Sequence, residues 1–362
     1  MLYKIFCRIA ALLMLLSELT CQCMAISTSA QSAVLIEQHS GRILYEQNAN
    51  EERLIASITK IMTAVVAIKH GDLSAVYTVT AEDMAEGSSM YLEVGDELTL
   101  EELLYGLMLV SGNDAALAVA RCVSGSVEDF VALMNETATR LGMHDSSFAN
   151  PNGLDAEGHY STAHDMARLS AHAMENEIFR RIVSTVSITV GERYLQNHNK
   201  LLRICEGCIG IKTGYTKAAG RTLVSAAQRD GMTLICVTLK DSDDWNDHAM
   251  LFDYGFGAYR METPVRVGQK LACAVVCGGM QSSVMLAAGN DLCYPVAEGE
   301  KLTLKVVVPV SVSAPVAQGQ VLGTVYVCLG DEEVASVDLI AMEAVAQIKN
   351  ETPDGFWSRL FH

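Results

Sequence analysis

The chain has 362 residues, of which 50% are hydrophobic, and this length is sufficient for two globular domains. It carries 26 basic and 43 acidic residues, which gives a formal net charge of -17 at pH 7. Nucleic acid is therefore not an expected partner, because the chain has no general excess of cations to neutralise phosphates. The high apolar content also argues against a largely disordered chain.

Residues 1–25 are predicted to be a signal peptide. Lys4 and Arg8 precede an apolar run that fits the hydrophobic region of a secretion signal and is short for a membrane span. Small residues at Ala25 and Ala30 offer two cleavage points, and Ala25 sets the predicted boundary. We therefore expect an exported protein, with an uncleaved membrane anchor as the alternative.

The segment that begins at Ser57 is predicted to be an amphipathic helix. Apolar residues recur after it at helical spacing, at Ile58, Ile61, Met62, Val65 and Ile68. Lys60 follows Ser57 by three positions, so the two side chains share a helix face and the amine can approach the hydroxyl. A serine at a helix start is more often only an N-cap, so this string alone favours a structural function over a catalytic one.

The string Ser111-Gly112-Asn113 is predicted to lie in a short loop between two helices. Thr99 and Glu102 have the spacing of a capping box that opens the first helix, and Gly112 interrupts the apolar pattern of that helix. Side chains in such a loop are free to point into a cleft. Taken alone, the string is far more typical of an ordinary turn than of a functional site.

Residues 209–214 are predicted to form a β-strand. Two more strand-like runs follow over residues 221–226 and 234–239, which indicates an antiparallel sheet. Gly214 leaves space beside the strand for another backbone or a ligand. An edge strand of this kind can bind a peptide as an added strand, and Lys212 would attract its carboxylate.

Eleven cysteines do not define a disulfide framework in a chain of this size, and Cys7, Cys21 and Cys23 fall in the predicted signal peptide. Among the other cysteines, Cys205 and Cys208 have the spacing of a redox pair or of half a zinc site. The remaining half of such a zinc site would be Cys273 and Cys277. We favour the interpretation that these four cysteines are small apolar residues in strands and a turn. A local disulfide between Cys205 and Cys208 is the main alternative, and it would stiffen the strand that follows.

Beyond residue 260 the composition changes to strand-like runs separated by turns, which predicts a small β-sandwich domain over residues 261–345. The tail over residues 346–362 carries aromatic and aliphatic side chains at Phe356, Trp357, Leu360 and Phe361. It has no basic face to attract anionic lipid. Contact with a membrane surface and simple packing or fraying of the tail both remain open.

In this order, serine-x-x-lysine, serine-x-asparagine and lysine-threonine-glycine resemble the active site of penicillin-recognising serine enzymes. Longer strings resemble the low-molecular-mass penicillin-binding proteins of the D-alanyl-D-alanine carboxypeptidase family. These strings are residues 56–63, 91–96, 111–115, 150–154, 159–163 and 210–216. The resemblance implies a mixed α/β fold. A β-lactamase/D,D-peptidase-like domain over residues 26–260, with an antiparallel sheet flanked by helices, would precede the all-β sandwich domain.

The resemblance implies three catalytic residues. Ser57 would be the nucleophile, Lys60 the base that accepts its proton, and Ser111 a proton relay to the leaving amine. To act as a base, Lys60 must be neutral part of the time, so we expect burial and the nearby cation of Lys212 to lower its pKa.

The resemblance also implies a substrate-binding set. Asn113 would orient Lys60 and hydrogen-bond the backbone of the peptide. Lys212 and Thr213, in the strand that continues through Gly214, would hold the terminal carboxylate of the substrate. The main-chain N–H group of Tyr215, together with that of the nucleophilic serine, would form the oxyanion hole.

The implied function is that of a serine-type D-Ala-D-Ala carboxypeptidase acting on peptidoglycan stem peptides, with β-lactam antibiotics as inhibitors and no metal or organic cofactor. A non-catalytic binder of wall peptides and a D,D-endopeptidase are the alternatives. A β-lactamase is disfavoured, because the sequence around Glu157 does not match the deacylating loop of that enzyme. His159 and His164 are interpreted as loop-ordering or capping residues, since lysine already supplies the base. Action on a vegetative or a spore wall is left open.

Overall fold

The computed structural model describes residues 26–348. The predicted signal peptide and the tail from residue 349 onward lie outside the described residues. Within residues 26–348, none of the helices combines the length and the apolar character needed to cross a membrane.

The first part of the chain combines helices and strands. The α-helices are α1 (Lys60–His70), α2 (Leu100–Leu109), α3 (Asn113–Ser124), α4 (Val127–Arg140), α5 (Ala163–Ala173), α6 (Glu177–Ser184), α7 (Leu201–Ile204) and α8 (Asp244–Ala258). The strands are β1 (Ser32–Glu37), β2 (Ile43–Gln47), β3 (Val76–Thr78), β4 (Glu97–Thr99), β5 (Ser187–Val190), β6 (Arg193–Gln196), β7 (Cys208–Thr216), β8 (Gly220–Arg229) and β9 (Met232–Leu239).

A five-stranded antiparallel sheet with the order β2-β1-β9-β8-β7 forms the centre of this part. Successive residues of β1 enter different hydrophobic cores: Val34 and Ile36 pack on one face of the sheet, and Leu35 packs on the other. Helix α5 contacts β1 and β9, and α8 contacts β8 and β9. The predicted antiparallel sheet flanked by helices is confirmed, with β7 at its edge.

Helix α1 differs from the prediction in two respects. It begins at Lys60, and Ser57 lies before it in a short 3₁₀ helix without acting as an N-cap. The helix is also buried on all sides from Lys60 to Ala67, because it packs against each of the five helices α2 to α6. An apolar pattern with few charges is typical of such a central helix, so its interpretation as amphipathic was wrong.

The second part of the chain contains only strands. They are β10 (Tyr259–Val265), β11 (Lys270–Cys277), β12 (Ser283–Ala288), β13 (Leu292–Ala297), β14 (Leu302–Val307), β15 (Ser311–Ser313), β16 (Val321–Leu329) and β17 (Glu332–Ala341). Six of them form a sheet with the order β14-β16-β17-β12-β11-β15, and β10 pairs with β13. They enclose a separate hydrophobic core, which confirms the predicted all-β domain. Residues 346 and 348 hydrogen-bond to residues 280 and 278, so the chain stays in contact with this domain up to residue 348.

One ion pair links the two parts of the chain. Arg42, just before β2, donates from its guanidinium to Glu300 at 2.6 and 2.8 Å and to the carbonyl oxygen of Pro295 at 2.6 Å. The guanidinium also lies over the ring of Tyr259, 5.1 Å from its centroid. This contact lies at the β2 edge of the central sheet, opposite the β7 edge.

Candidate active site

Ser57 lies in a 3₁₀ helix of four residues, Ala56–Thr59, which we call the serine turn. Ala56 has a φ of +49°, in the left-handed region that residues with a side chain rarely adopt. Two hydroxyl groups hold this conformation: Thr59 Oγ1 donates to the carbonyl oxygen of Ala56 at 2.8 Å, and Thr222 Oγ1 of β8 donates to that of Ile55 at 3.0 Å. The turn is thereby attached to the central sheet.

The amine of Lys60 lies at the centre of the site and is completely buried. It is 3.0 Å from Ser57 Oγ, 2.7 Å from Asn113 Oδ1 and 2.6 Å from the carbonyl oxygen of Asn152. Burial, together with the positive charge of Lys212, holds the pKa of Lys60 well below its usual value, while Asp114 opposes the shift. The expected lowering of this pKa is therefore found, with burial as the main cause.

Asn113 is the first residue of α3, directly after the loop that contains Ser111. Its Nδ2 donates to the carbonyl oxygen of Glu86 at 2.6 Å, so its Oδ1 must be the atom that faces Lys60. Ser111 is nearly buried and has a φ of +63°. The predicted capping box of Thr99 and Glu102 at the start of α2 is confirmed. The predicted loop is thus the short connection between α2 and α3.

Strand β7 carries Lys212, Thr213, Gly214 and Tyr215 along the open edge of the sheet. The side chain of Lys212 is buried, and its Nζ donates to the carbonyl oxygen of Thr213 at 2.9 Å. Burial lowers the pKa of Lys212 to about 7. A Cβ atom on Gly214 would lie 2.9 Å from the backbone nitrogen of Ser57, so the absence of a side chain lets β7 approach the serine turn closely.

These segments surround a cavity of about 460 Å³. Its lining includes Ser57, Ser111, Thr213, Gly214 and Tyr215 from the predicted set. The other three predicted residues, Lys60, Asn113 and Lys212, are buried and do not belong to this lining. The structure therefore brings the three sequence strings together: hydroxyl and backbone groups line the cavity, and both amines are buried.

Part of the cavity was not predicted from the sequence. Arg221 donates to the carboxylate of Asp244 at 2.6 and 3.0 Å, and its guanidinium lies 5.4 Å from the ring centroid of Trp245. All three residues line the cavity, as do Ser88 and His198. Arg221 lies opposite Tyr215 in the β7–β8 ladder, so the short turn between the two predicted strands was a signal that could have located it.

The contacts of Lys60 include a second feature that sequence analysis missed. One of its partners is the main-chain carbonyl of Asn152. Every residue has such a carbonyl, so the residue type at this position does not show that the group faces Lys60. The string of residues 150–154 was recognised only as a family resemblance. In the structure, this string supplies the carbonyl oxygen that accepts a hydrogen bond from Lys60 Nζ.

Cys205 and Cys208 lie close to the start of β7 and are free, half-buried thiols. Burial raises the pKa of Cys208 to about 12, which disfavours the thiolate that a metal ion or a redox reaction requires. Cys273 and Cys277 lie on β11 of the second domain. Between residues 26 and 348, no group of three or more metal-ligating side chains is found.

Comparison with known proteins identifies two family matches. Residues 20–243 match the family model of D-alanyl-D-alanine carboxypeptidase, and residues 259–347 match that of the C-terminal domain of penicillin-binding protein 5.

Relatives and solved structures are similar over most of the chain. The D-alanyl-D-alanine carboxypeptidase DacF of Bacillus subtilis is 34% identical over 335 residues, which cover 88% of this chain and 86% of the relative. DacC of Escherichia coli is 33% identical over 359 residues, covering 93% and 88%. The crystal structure of penicillin-binding protein 5 from Haemophilus influenzae has a TM-score of 0.78 at 29% identity, covering 90% of this chain and 99% of that one. The chain therefore belongs to the D-alanyl-D-alanine carboxypeptidase family of serine peptidases.

Proposed function

We propose that this protein is a serine-type D-Ala-D-Ala carboxypeptidase that removes the terminal D-alanine from peptidoglycan stem peptides through an acyl-enzyme on Ser57. The observation that carries the proposal is the hydrogen bonding of Lys60. Two of its three partners, Asn113 Oδ1 and the carbonyl oxygen of Asn152, can only accept hydrogen bonds. The third partner, Ser57 Oγ, can both donate and accept.

A neutral amine has two N–H donors and one lone pair. In Lys60 the two donors are directed to Asn113 and Asn152, which leaves the lone pair facing the hydroxyl of Ser57. Because burial lowers the pKa of Lys60, this neutral form is more accessible than in a solvent-exposed lysine. The arrangement is that of a general base with its lone pair directed at a nucleophile.

In the acylation step, the Ser57 proton moves to Lys60 Nζ while Ser57 Oγ bonds to the carbonyl carbon of the penultimate D-alanine. The negative charge that develops on the carbonyl oxygen would be stabilised by the main-chain N–H groups of Ser57 and Tyr215. The C–N bond then breaks, and the leaving amine takes a proton that Ser111 relays from Lys60. In deacylation, Lys60 accepts a proton from the water that attacks the ester carbonyl, and it returns this proton to Ser57 Oγ as the ester C–O bond breaks.

Strand β7 supports binding of the peptide at the sheet edge. Its outer side has no neighbouring strand among the described residues, so an extended peptide can pair with it. The terminal carboxylate of such a peptide would lie beside the hydroxyl of Thr213 and above the buried amine of Lys212. This selects substrates that end at the leaving D-alanine. The ring carboxylate of a β-lactam would occupy the same position, while Ser57 Oγ attacks the β-lactam carbonyl carbon and the C–N bond of the lactam ring breaks.

The cellular setting is part of the proposal. The charged and apolar pattern of residues 1–25 supports export, which would bring the enzyme to its polymeric substrate outside the cytoplasm. A function in cell-wall maturation and cell shape follows from trimming stem peptides. Whether the tail beyond residue 348 contacts the membrane surface is a separate question, which a vesicle-binding comparison of the full chain with a chain ending at residue 348 would answer.

The experiment is to incubate the purified protein with a peptide ending in D-Ala-D-Ala and to measure free D-alanine. We expect the wild type to release D-alanine. We expect Ser57→Ala to lose both this release and covalent labelling by penicillin. Labelling of Ser57→Ala would show that another residue is the nucleophile. A folded wild type that binds the peptide without release would favour the wall-peptide binding protein, and cleavage of cross-linked dimers would favour the endopeptidase.

A further inference from the structure

His159 is a buried histidine close to the serine turn that the proposed mechanism does not use. Its Nδ1 accepts a hydrogen bond of 3.0 Å from the backbone N–H of Ala149. In the neutral ring, the proton must therefore be on Nε2, which lies 2.8 Å from Thr59 Oγ1. Burial lowers the pKa of His159 to about 4, against a smaller opposing effect of Asp155, so this neutral form persists at physiological pH.

The hydrogen bond continues from His159 into the serine turn. Thr59 Oγ1 accepts from His159 Nε2 and donates its own proton to the carbonyl oxygen of Ala56. Ala56 is the residue before Ser57 and has the left-handed backbone conformation. The chain of two bonds thus ends on the peptide group that connects Ala56 to the nucleophile.

The loop between Ala149 and His159 contacts both the serine turn and Lys60. A Cβ atom on Gly153 would lie 2.0 Å from the carbonyl oxygen of Ala56, so this loop packs directly against the serine turn. The preceding carbonyl, of Asn152, accepts from Lys60. By binding Ala149 at one end and Thr59 at the other, His159 fixes the loop relative to both the nucleophile and the base.

We propose that His159 and Thr59 act as a pair of positioning residues, which hold the Ala56–Ser57 peptide group and the Asn152 carbonyl in place so that Ser57 and Lys60 are aligned for acylation. Neither side chain needs to touch the substrate. This inference rests on the proposed function, because it assigns a residue pair to the acylation of Ser57. It predicts that the pair changes the rate of bond formation more than the affinity for the ligand.

The first test compares Thr59→Val with Thr59→Ser. Valine has the shape of threonine without the hydroxyl, whereas serine keeps the hydroxyl. The readout is acylation by a fluorescent penicillin, with saturation kinetics that separate the dissociation constant from the acylation rate constant. We expect the rate constant of Thr59→Val to fall about tenfold, the loss that corresponds to one hydrogen bond, with little change in the dissociation constant. Thr59→Ser should stay within about twofold of the wild type.

The second test uses two variants of His159 that each keep one of its hydrogen-bonding atoms. His159→Gln places an N–H group where Nε2 donates to Thr59, and His159→Asn places an oxygen where Nδ1 accepts from Ala149. If the pair acts through Thr59, the glutamine variant should retain more of the acylation rate than the asparagine variant. The asparagine substitution should also cost little further rate in the Thr59→Val background, since the connection is already broken.

Thermal unfolding of every variant separates positioning from loss of the fold. The proposal is overturned if folded Thr59→Val acylates within twofold of the wild type, or if its loss lies entirely in the dissociation constant. If Thr59→Val does not fold, the order of the two His159 variants decides, and equal rates overturn the proposal. A wild type that is not acylated at all would instead refute the proposed function, and this inference with it.

Discussion

Replacing Gly214 by alanine tests the close approach of β7 to the serine turn. The new Cβ atom would lie 2.4 Å from Thr222 Oγ1, 2.9 Å from the backbone nitrogen of Ser57 and 3.1 Å from that of Ile58. Ordinary contacts of a Cβ atom begin at 3.4 Å, so β7 and the serine turn must separate by about 0.5 Å. Rotation of Thr222 does not relieve the contact without cost, because its hydroxyl holds the carbonyl oxygen of Ile55.

The expected effect of Gly214→Ala is large on acylation and moderate on stability. A misplacement of about 1 Å can reduce the rate of a positioned reaction by about 100-fold, so a displacement of about 0.5 Å should reduce it by about tenfold. Overpacking of a well-packed site costs about 1–3 kcal/mol. The assay is the acylation rate with fluorescent penicillin, together with the free energy of unfolding in urea.

The matched control for this prediction is Gly257→Ala. Gly257 is exposed in α8, and a Cβ atom built on it meets no other atom within 4 Å. This variant should acylate like the wild type and should gain about 0.5–1 kcal/mol of stability, because alanine favours a helix. A rate for Gly214→Ala within threefold of the wild type would refute the reasoning, since the serine turn would then tolerate the displacement.

The remaining predictions concern pH. Because the proposed base is the neutral form of Lys60, the acylation rate should rise with pH and level off well below the usual pKa of a lysine. In Asp114→Asn the midpoint should move to lower pH, since Asp114 raises this pKa. A pH–rate profile of both proteins checks this, and an unchanged midpoint would contradict it. Lys212 has a pKa of about 7, so KM for the peptide should increase above pH 7 as the cation is lost, whereas a constant KM would exclude Lys212 from carboxylate binding. Burial lowers the pKa of His248 to about 3, so below pH 6.5 the unfolded chain takes up a proton that the folded chain does not. The stability of the protein therefore decreases as the pH is lowered. Between pH 7 and pH 5, His248→Gln should therefore lose about 2 kcal/mol less unfolding free energy than the wild type, and equal losses would show that this histidine does not contribute.

The sequence was sufficient to predict that the three strings would lie together, but it did not predict the backbone conformation around them. The spacing of Ser57 and Lys60 predicted that their side chains would meet, and they do, at 3.0 Å. It could not predict the left-handed conformation of Ala56, because alanine itself has no preference for it. Hydrogen bonds from Thr59 and from Thr222, which lies 167 positions after its partner Ile55, hold that conformation.

The edge position of β7 was likewise outside the reach of local patterns. Alternation predicted β7, β8 and β9 as neighbours, but the order of the whole sheet depends on the pairing of β1 with β9, which joins Ser32 to Leu239. This pairing covers the far side of β9 and leaves β7 exposed. Whether a strand can bind a peptide therefore depends on contacts between distant segments, and no short pattern encodes them.

The burial of Lys60 links the fold to the proposed chemistry. An amine at the start of a helix that is buried from Lys60 to Ala67 loses the solvation of its charged form, so the fold favours the neutral amine. The same burial would be unfavourable if the amine lacked partners, and Asn113 at the start of α3 and the main-chain carbonyl of Asn152 provide them. Because both partners only accept, they satisfy the two N–H groups of the neutral amine and leave its lone pair directed at Ser57. The packing of α1 among its neighbouring helices and the direction of proton transfer are thus consequences of the same arrangement.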